Sequence, residues 1–330
     1  MTHDPIHIEF WTPDGAQLGR HGAPQRWVNI LGRVTARHGL HDVRARVPDL
    51  RFWKPLSTGP TAYRLAGGGD FNFEIERRDL PIGKPIEVFI DASDKRGNEV
   101  SQSITVTRAE PSATELTDVG FELSGRWDPE AYEIVDGLWE ATDDGLTTVE
   151  PGYDRCIGLG DMNWRDYRVE VDVTWHSFSK DPIHAILPSN GAWAGVVCYF
   201  TGHVDWQEQF PRRGWYPYGV IANLDTSPDL RPARLRLMGN MFKPIQVDDE
   251  SDRVFDPQTR YTLVAEARSN PGGQMNRYRM KVFPAGEPEP DGWDLAGLGL
   301  EGELNWGAPL LVAHQARVTY HRVRVTPLKE

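Results

Sequence analysis

Three histidines, His176, His203 and His314, stand at or near the ends of segments with strand-like alternation. Neutral imidazole is a common metal ligand and a natural general base, so three of them on one rim would hold a divalent ion. Their spacing matches neither HxH nor HExxH, and taken singly each reads as a hydrogen-bonded structural group. Glu170 and Asp172 lie two residues apart on one strand face, with Cα atoms roughly 6.5 to 7 Å apart, near the separation of two carboxylates bracketing a scissile glycosidic bond. The alternative is a solvated face on which Arg168 pairs with Glu170. In GYDRCIGLGDM, residues 152 to 162, Asp154 and Arg155 cannot both point inward from one strand, so one of them faces a groove. Arg155 would clamp a carboxylate or diol bidentately, or else pin the sheet edge through a salt bridge.

The most aromatic stretch is HVDWQEQFPRRGWYPY, in which Trp206, Phe210, Trp215, Tyr216 and Tyr218 alternate with Asp205, Glu208, Arg212 and Arg213. Flat rings with polar tips cover the C–H patches that sugars expose, whereas the alternative is a satellite cluster sealing the end of the fold. The ligand-contact reading predicts that Asp154, Arg155, Tyr199, Trp206, Trp215, Tyr216 and His314 line one carbohydrate-binding surface. Two acidic stretches, Asp94 with Gly97 and Asn98, and the run VDDESD at 247 to 252, lack calcium-loop spacing and read as solvated turns.

Two strands must position these groups. From Tyr167 to His176 the odd positions Tyr167, Val169, Val171, Val173 and Trp175 are apolar and the even positions polar, the period of a half-buried strand. From Trp193 to His203, Ala194, Val196, Cys198 and Phe200 form the core face, which places Trp193, Val197, Tyr199, Thr201 and His203 on the other. Short alternating runs separated by Gly, Pro and Asp recur along the rest of the chain, and no segment sustains a helical period, although DLAGLGL allows one turn.

At 330 residues the chain exceeds one typical domain. Its net charge of -12 argues against nucleic-acid phosphate as the partner, and no apolar run reaches the length of a membrane span. The N-terminus lacks a basic segment followed by an apolar one, so no secretory signal is expected in the chain as given, which would make it cytoplasmic if complete. Cys156 and Cys198 are too few for a disulfide framework and read as two small buried thiols.

The stretches PQRWVNILGRV, LAGGGDFNFEIERRDL and DASDKRGN together resemble an immunoglobulin-like module of bacterial surface and secreted proteins. From FELSGRWDPEAYEIVDGLWEA to LLVAHQARVTYHRVRVTPL the chain resembles a concanavalin A-like, laminin-G-like jelly roll. The resemblance implies an all-β protein with an immunoglobulin-like β-sandwich over residues 1–110 and a jelly-roll sandwich carrying the ligand site over 111–330. The boundary is expected where apolar alternation lapses in RAEPSATELTD, Arg108 to Asp118. The resemblance also implies an extracellular or cell-surface location and an oligo- or polysaccharide partner. Jelly rolls of this kind include lectins, glycoside hydrolases and polysaccharide lyases. The laminarinase-like branch carries E-x-D-x-x-E, and here Glu170 and Asp172 are followed by Trp175 in place of a third acid. Glycan recognition is therefore the leading expectation. The alternatives are catalysis by Glu170, Asp172, His176 and His203, and a purely adhesive role.

Overall fold

A computed structural model describes residues 5–19, 27–61, 65–110, 114–129, 131–178, 192–202, 218–226, 233–248, 253–270 and 275–329. Among these the regular structure is β-strand with a few 3-10 turns. The first eight strands are β1 (Ile6–Phe10), β2 (Ala16–Leu18), β3 (Trp27–Ala36), β4 (Leu40–Val47), β5 (Phe52–Pro55), β6 (Asp70–Glu76), β7 (Pro85–Asp94) and β8 (Glu99–Arg108). They form a three-stranded sheet, β1-β3-β6, and a five-stranded sheet, β2-β8-β7-β4-β5. The short β2 runs parallel to β8. Alternation places Val43, Ala45, Val88, Ile90 and Val106 inside, against Ile8, Ile30, Phe71 and Phe73 of the smaller sheet. Asp94 closes the turn between β7 and β8 by accepting from the backbone N–H of Arg96 and of Asn98, which makes that acidic stretch a hairpin turn.

The later strands are β9 (Val119–Glu122), β10 (Tyr132–Asp136), β11 (Trp139–Thr142), β12 (Gly145–Thr148), β13 (Arg155–Leu159), β14 (Tyr167–Phe178), β15 (Ala192–Phe200) and β16 (Val220–Thr226). After them come β17 (Arg234–Gly239), β18 (Lys243–Val247), β19 (Arg260–Arg268), β20 (Arg277–Pro284), β21 (Leu295–Leu298), β22 (Ala308–His314) and β23 (Ala316–Pro327). A seven-stranded antiparallel sheet, β10-β13-β22-β15-β16-β17-β18, faces an eight-stranded one, β11-β12-β23-β14-β19-β20-β21. The apolar positions of β14, from Tyr167 to Trp175, pack on Ala194, Val196 and Cys198 of β15 as the alternation requires. The stretch DLAGLGL is not a helical turn. Its residues 295–298 are β21, drawn into the ladder by pairing with β20.

Both cysteines are free and buried, and burial pushes the Cys198 thiol up to about 12. Several contacts join the two pairs of sheets, with Trp11 among them. Trp11, 2% exposed, has the guanidinium of Arg33 5.6 Å from its ring centre and that of Arg155, across the boundary, at 5.5 Å. Arg33 also bridges Asp70 and Glu150, and Gly19 donates its N–H to Glu133 Oε1 at 3.2 Å.

Candidate functional site

The outer face of the eight-stranded sheet carries the polar positions of β14, each already engaged. Thr262 donates to Asp172 Oδ1 at 2.7 Å and Arg322 donates to Oδ2 at 2.6 Å, so both carboxylate oxygens have partners and Asp172 is buried. Glu170 pairs with Arg168 at 3.4 Å, the solvated-face alternative. His176 lies 2.7 Å from Thr319 Oγ1, and His321 lies 2.9 Å from Thr174 Oγ1. This is a ladder of cross-strand polar pairs, in which each group is satisfied by its neighbour.

Burial lowers the basicity of both rings. For His176 the charge of Arg317 and then that of His321 add to the effect, while for His321 the Asp144 carbonyl opposes it. A histidine that is harder to protonate folded than unfolded leaves the unfolded chain holding more protons at acidic pH. Full stability is therefore expected above the unfolded histidine range and is lost as pH falls from about 6.5 through the lower folded values. Urea midpoints measured from pH 7.5 to 5 should fall, and His321→Gln should flatten that fall. An unchanged pH slope in this variant would remove the ladder as its source.

The seven-stranded sheet is organised differently. Its outer face carries a second apolar cluster of Val197, Phe200, Tyr218, Ile221, Met238 and Leu310 toward one end, and polar groups toward the other. The register sets His314, Trp193 and Asp225 side by side, and in the next row Val312, Gly195, Asn223 and Arg236. The His314 ring stacks on Trp193, with centroids 5.4 Å apart and planes 9° apart, and Tyr153 meets its edge at 4.9 Å. Asp154 holds His314 Nδ1 at 2.7 Å, which fixes the ring's orientation. Asp154 adopts φ +48, a left-handed conformation that Asp tolerates better than most residues. Arg236 pairs with Asp225 Oδ2. Asn223 is 1% exposed, and its side-chain oxygen has no hydrogen-bond donor among the described residues, nor does Asp225 Oδ1. Gly195 contributes no side chain to the row beside Asn223. Among the described residues, these are two buried acceptors without donors, two positions apart on one strand face, and chemically they accept O–H or N–H groups.

The sequence-predicted residues thus separate. Asp154 and His314 meet on the outer face of the seven-stranded sheet. Arg155, its neighbour, turns the other way to Trp11 and lies 3.6 Å from Asp136, the salt-bridge arrangement, buried at the junction. Alternation predicts Tyr199 on the open face. The register shifts between Val197 and Phe200, and Tyr199 takes φ +62. This bulge turns Tyr199 into the core against Tyr167 and sends Phe200 outward, because one extra residue exchanges the two faces.

His176 and His314 lie on opposite outer faces of the sandwich and are not brought together. Tyr199, at the end of β15, donates its N–H to Tyr167 at the start of β14, so the two strands run in opposite senses. The end of β15 and the His176 end of β14 therefore point to opposite ends of the fold. Among the described residues no three His, Cys, Asp or Glu side chains come together in a way that could hold a metal ion. His203, Trp206, Trp215, Tyr216 and the acidic positions 249–252 lie outside the described residues, whereas Tyr218 is buried and donates to the Gly239 carbonyl at 3.0 Å. Asn223, Asp225 and Arg236 escaped the sequence reading because NLD and RLR are ordinary strand-end polar residues. Only the register makes them neighbours.

No protein-family model matches the chain, and no curated protein matches it. Among solved structures it is similar to the exoplasmic/lumenal domain of VIP36 in its Ca2+/Man2-bound form, at 14% identity over 61% of this chain and 82% of that one, with a TM-score of 0.39. A protein of unknown function with a galectin-like fold from Bacillus subtilis is similar at 10% identity, over 64% of this chain and 97% of that one, TM-score 0.40. A xylan beta-1,4-xylosidase from Bacillus Halodurans C-125 is similar at 9% identity, over 97% of this chain and 64% of that one, TM-score 0.40. Likenesses at this level carry no argument about function, which rests on the site itself.

Proposed function

We propose that this is a glycan-recognising, lectin-like protein that seats an oligo- or polysaccharide at the polar end of the seven-stranded sheet's outer face. The observation that carries the reading is the pair of buried, donor-less acceptors, Asn223 Oδ1 and Asp225 Oδ1, between the Trp193–His314 stack and Arg236. A sugar's hydroxyls supply donors to both oxygens and accept from the guanidinium, a match that neither an apolar ligand nor a polyanion offers. In the same reading residues 1–110 form an immunoglobulin-like sandwich, supported by the β1-β3-β6 and β2-β8-β7-β4-β5 orders with β2 parallel to β8. Residues 111–330 form the concanavalin A-like jelly roll, supported by two large antiparallel sheets face to face.

The test is a glycan array probed with the parent protein, followed by calorimetric titration of the best ligand. Asn223→Ala is expected to weaken binding about tenfold. Absence of any bound glycan, or full affinity in Asn223→Ala, refutes the seat. The Asp154–His314 pair favours a second reading, a carbohydrate-active enzyme in which a carboxylate-oriented imidazole serves as general base. Release of reducing ends from the bound oligosaccharide, abolished in His314→Gln, would move the assignment to that class.

A further inference from the structure

The first sandwich carries a groove of its own. On the outer face of its five-stranded sheet, register places Trp53 beside Arg46 and Phe89, and Arg44 beside Asp91 and Ser101. Of these, Trp53, Arg44, Asp91 and Ser101 line an open groove of about 520 Å³, together with Asp42 and Glu99. Trp53 is 54% exposed, on an edge strand, with the Arg44 guanidinium 5.1 Å from its ring centre.

The polar groups around it are held in place. Arg46 donates to both oxygens of Asp91 at 3.0 and 3.2 Å and stacks on Phe89 at 4.1 Å, Ser101 donates to Asp91 Oδ1 at 2.5 Å, and Arg44 pairs with Asp42. A binding face organised in this way loses little side-chain freedom when a ligand arrives.

We propose that this groove is a second saccharide-binding site, separate from the seat on the seven-stranded sheet and independent of it. The chemistry selects the occupant by exclusion. A polyanion would meet the carboxylates of Asp42, Asp91 and Glu99, and a polycation would meet Arg44. An apolar partner would find one indole among charges. A neutral polyhydroxylated ring satisfies all of these groups, with its C–H face on Trp53 and its hydroxyls shared between carboxylate and guanidinium. The groove's volume lies within the range of small-ligand sites.

The test is affinity electrophoresis of the full chain through native gels containing xylan, laminarin, mannan or hydroxyethylcellulose. It compares the parent, Asn223→Ala, Trp53→Ala and the double variant. Because Trp53 is half exposed, its truncation should leave Tm unchanged. With the first seat weakened by Asn223→Ala, at least one polysaccharide should still retard the protein, and adding Trp53→Ala should weaken that remaining retardation about tenfold further. The proposal is overturned if Asn223→Ala alone abolishes all retardation, or if Trp53→Ala changes nothing in that background. It is also overturned if the parent self-associates in sedimentation and Trp53→Ala abolishes this, which would give the face to a second copy. Retention of the Trp53 effect when Asn223→Ala has none would leave this site standing and remove the other.

Discussion

Trp11→Ala is expected to cost about 3 to 5 kcal/mol of stability and to split one unfolding transition into two. Trp11 is almost fully buried and has one guanidinium from each sandwich against it, Arg33 at 5.6 Å and Arg155 at 5.5 Å. Truncation leaves a void and removes the aromatic surface from Arg155, which is itself 1% exposed and unable to reach water without moving the junction. The Arg33–Glu150 pair and the Gly19–Glu133 hydrogen bond remain, but partly exposed ion pairs contribute little alone. Calorimetry should therefore show the two cores melting separately, while Trp11→Phe, which keeps an aromatic plane, should retain most of the coupling. A single transition with a loss below about 1 kcal/mol in Trp11→Ala would mean that the sandwiches are joined elsewhere.

Gly307→Ala is expected to destabilise the second sandwich by about 3 kcal/mol, through backbone overlap and not through any lost contact. Gly307 has φ +144 and lies directly on the Tyr199 peptide, so an added Cβ would fall inside the Tyr199 backbone, which no side-chain rotation can relieve. That peptide is the bulge which sends Tyr199 inward and Phe200 outward. Relief would have to come from shifting the bulge, which would loosen Tyr199 from Tyr167 and Tyr278. Urea unfolding and near-ultraviolet circular dichroism should both report it. Unchanged aromatic dichroism together with wild-type stability would show that the bulge accommodates a methyl group.

Sequence by itself determined the all-β architecture and most of its strands, because a period of two is a local property that each residue's polarity reveals. The alternation of 167–176 and the short alternating runs before residue 108 appear as strands where apolar residues recur at every second position. The short β2 and β5 were not legible, since three or four residues are too few to establish a period, and β5 holds Trp53, on which the second proposed site depends. That Asp154 and Arg155 point to different sides was legible, because adjacent strand residues must diverge, but which of them meets His314 was not.

Tertiary structure alone decided which polar residues share a site. His176 and His314 look equivalent along the chain, yet β14 and β22 belong to different sheets, so strand ends that look alike in sequence are separated by the sandwich. Asn223, Asp225 and Arg236 become neighbours of Trp193 and His314 only through the register of β22, β15, β16 and β17. A single bulge, invisible to polarity counting because Tyr199 and Phe200 are both aromatic, reversed which of them meets the core. Polarity reports which face a residue prefers, whereas register, strand direction and bulges determine whose face it is. Those depend on hydrogen bonds between segments remote in sequence, so no window of sequence contains them.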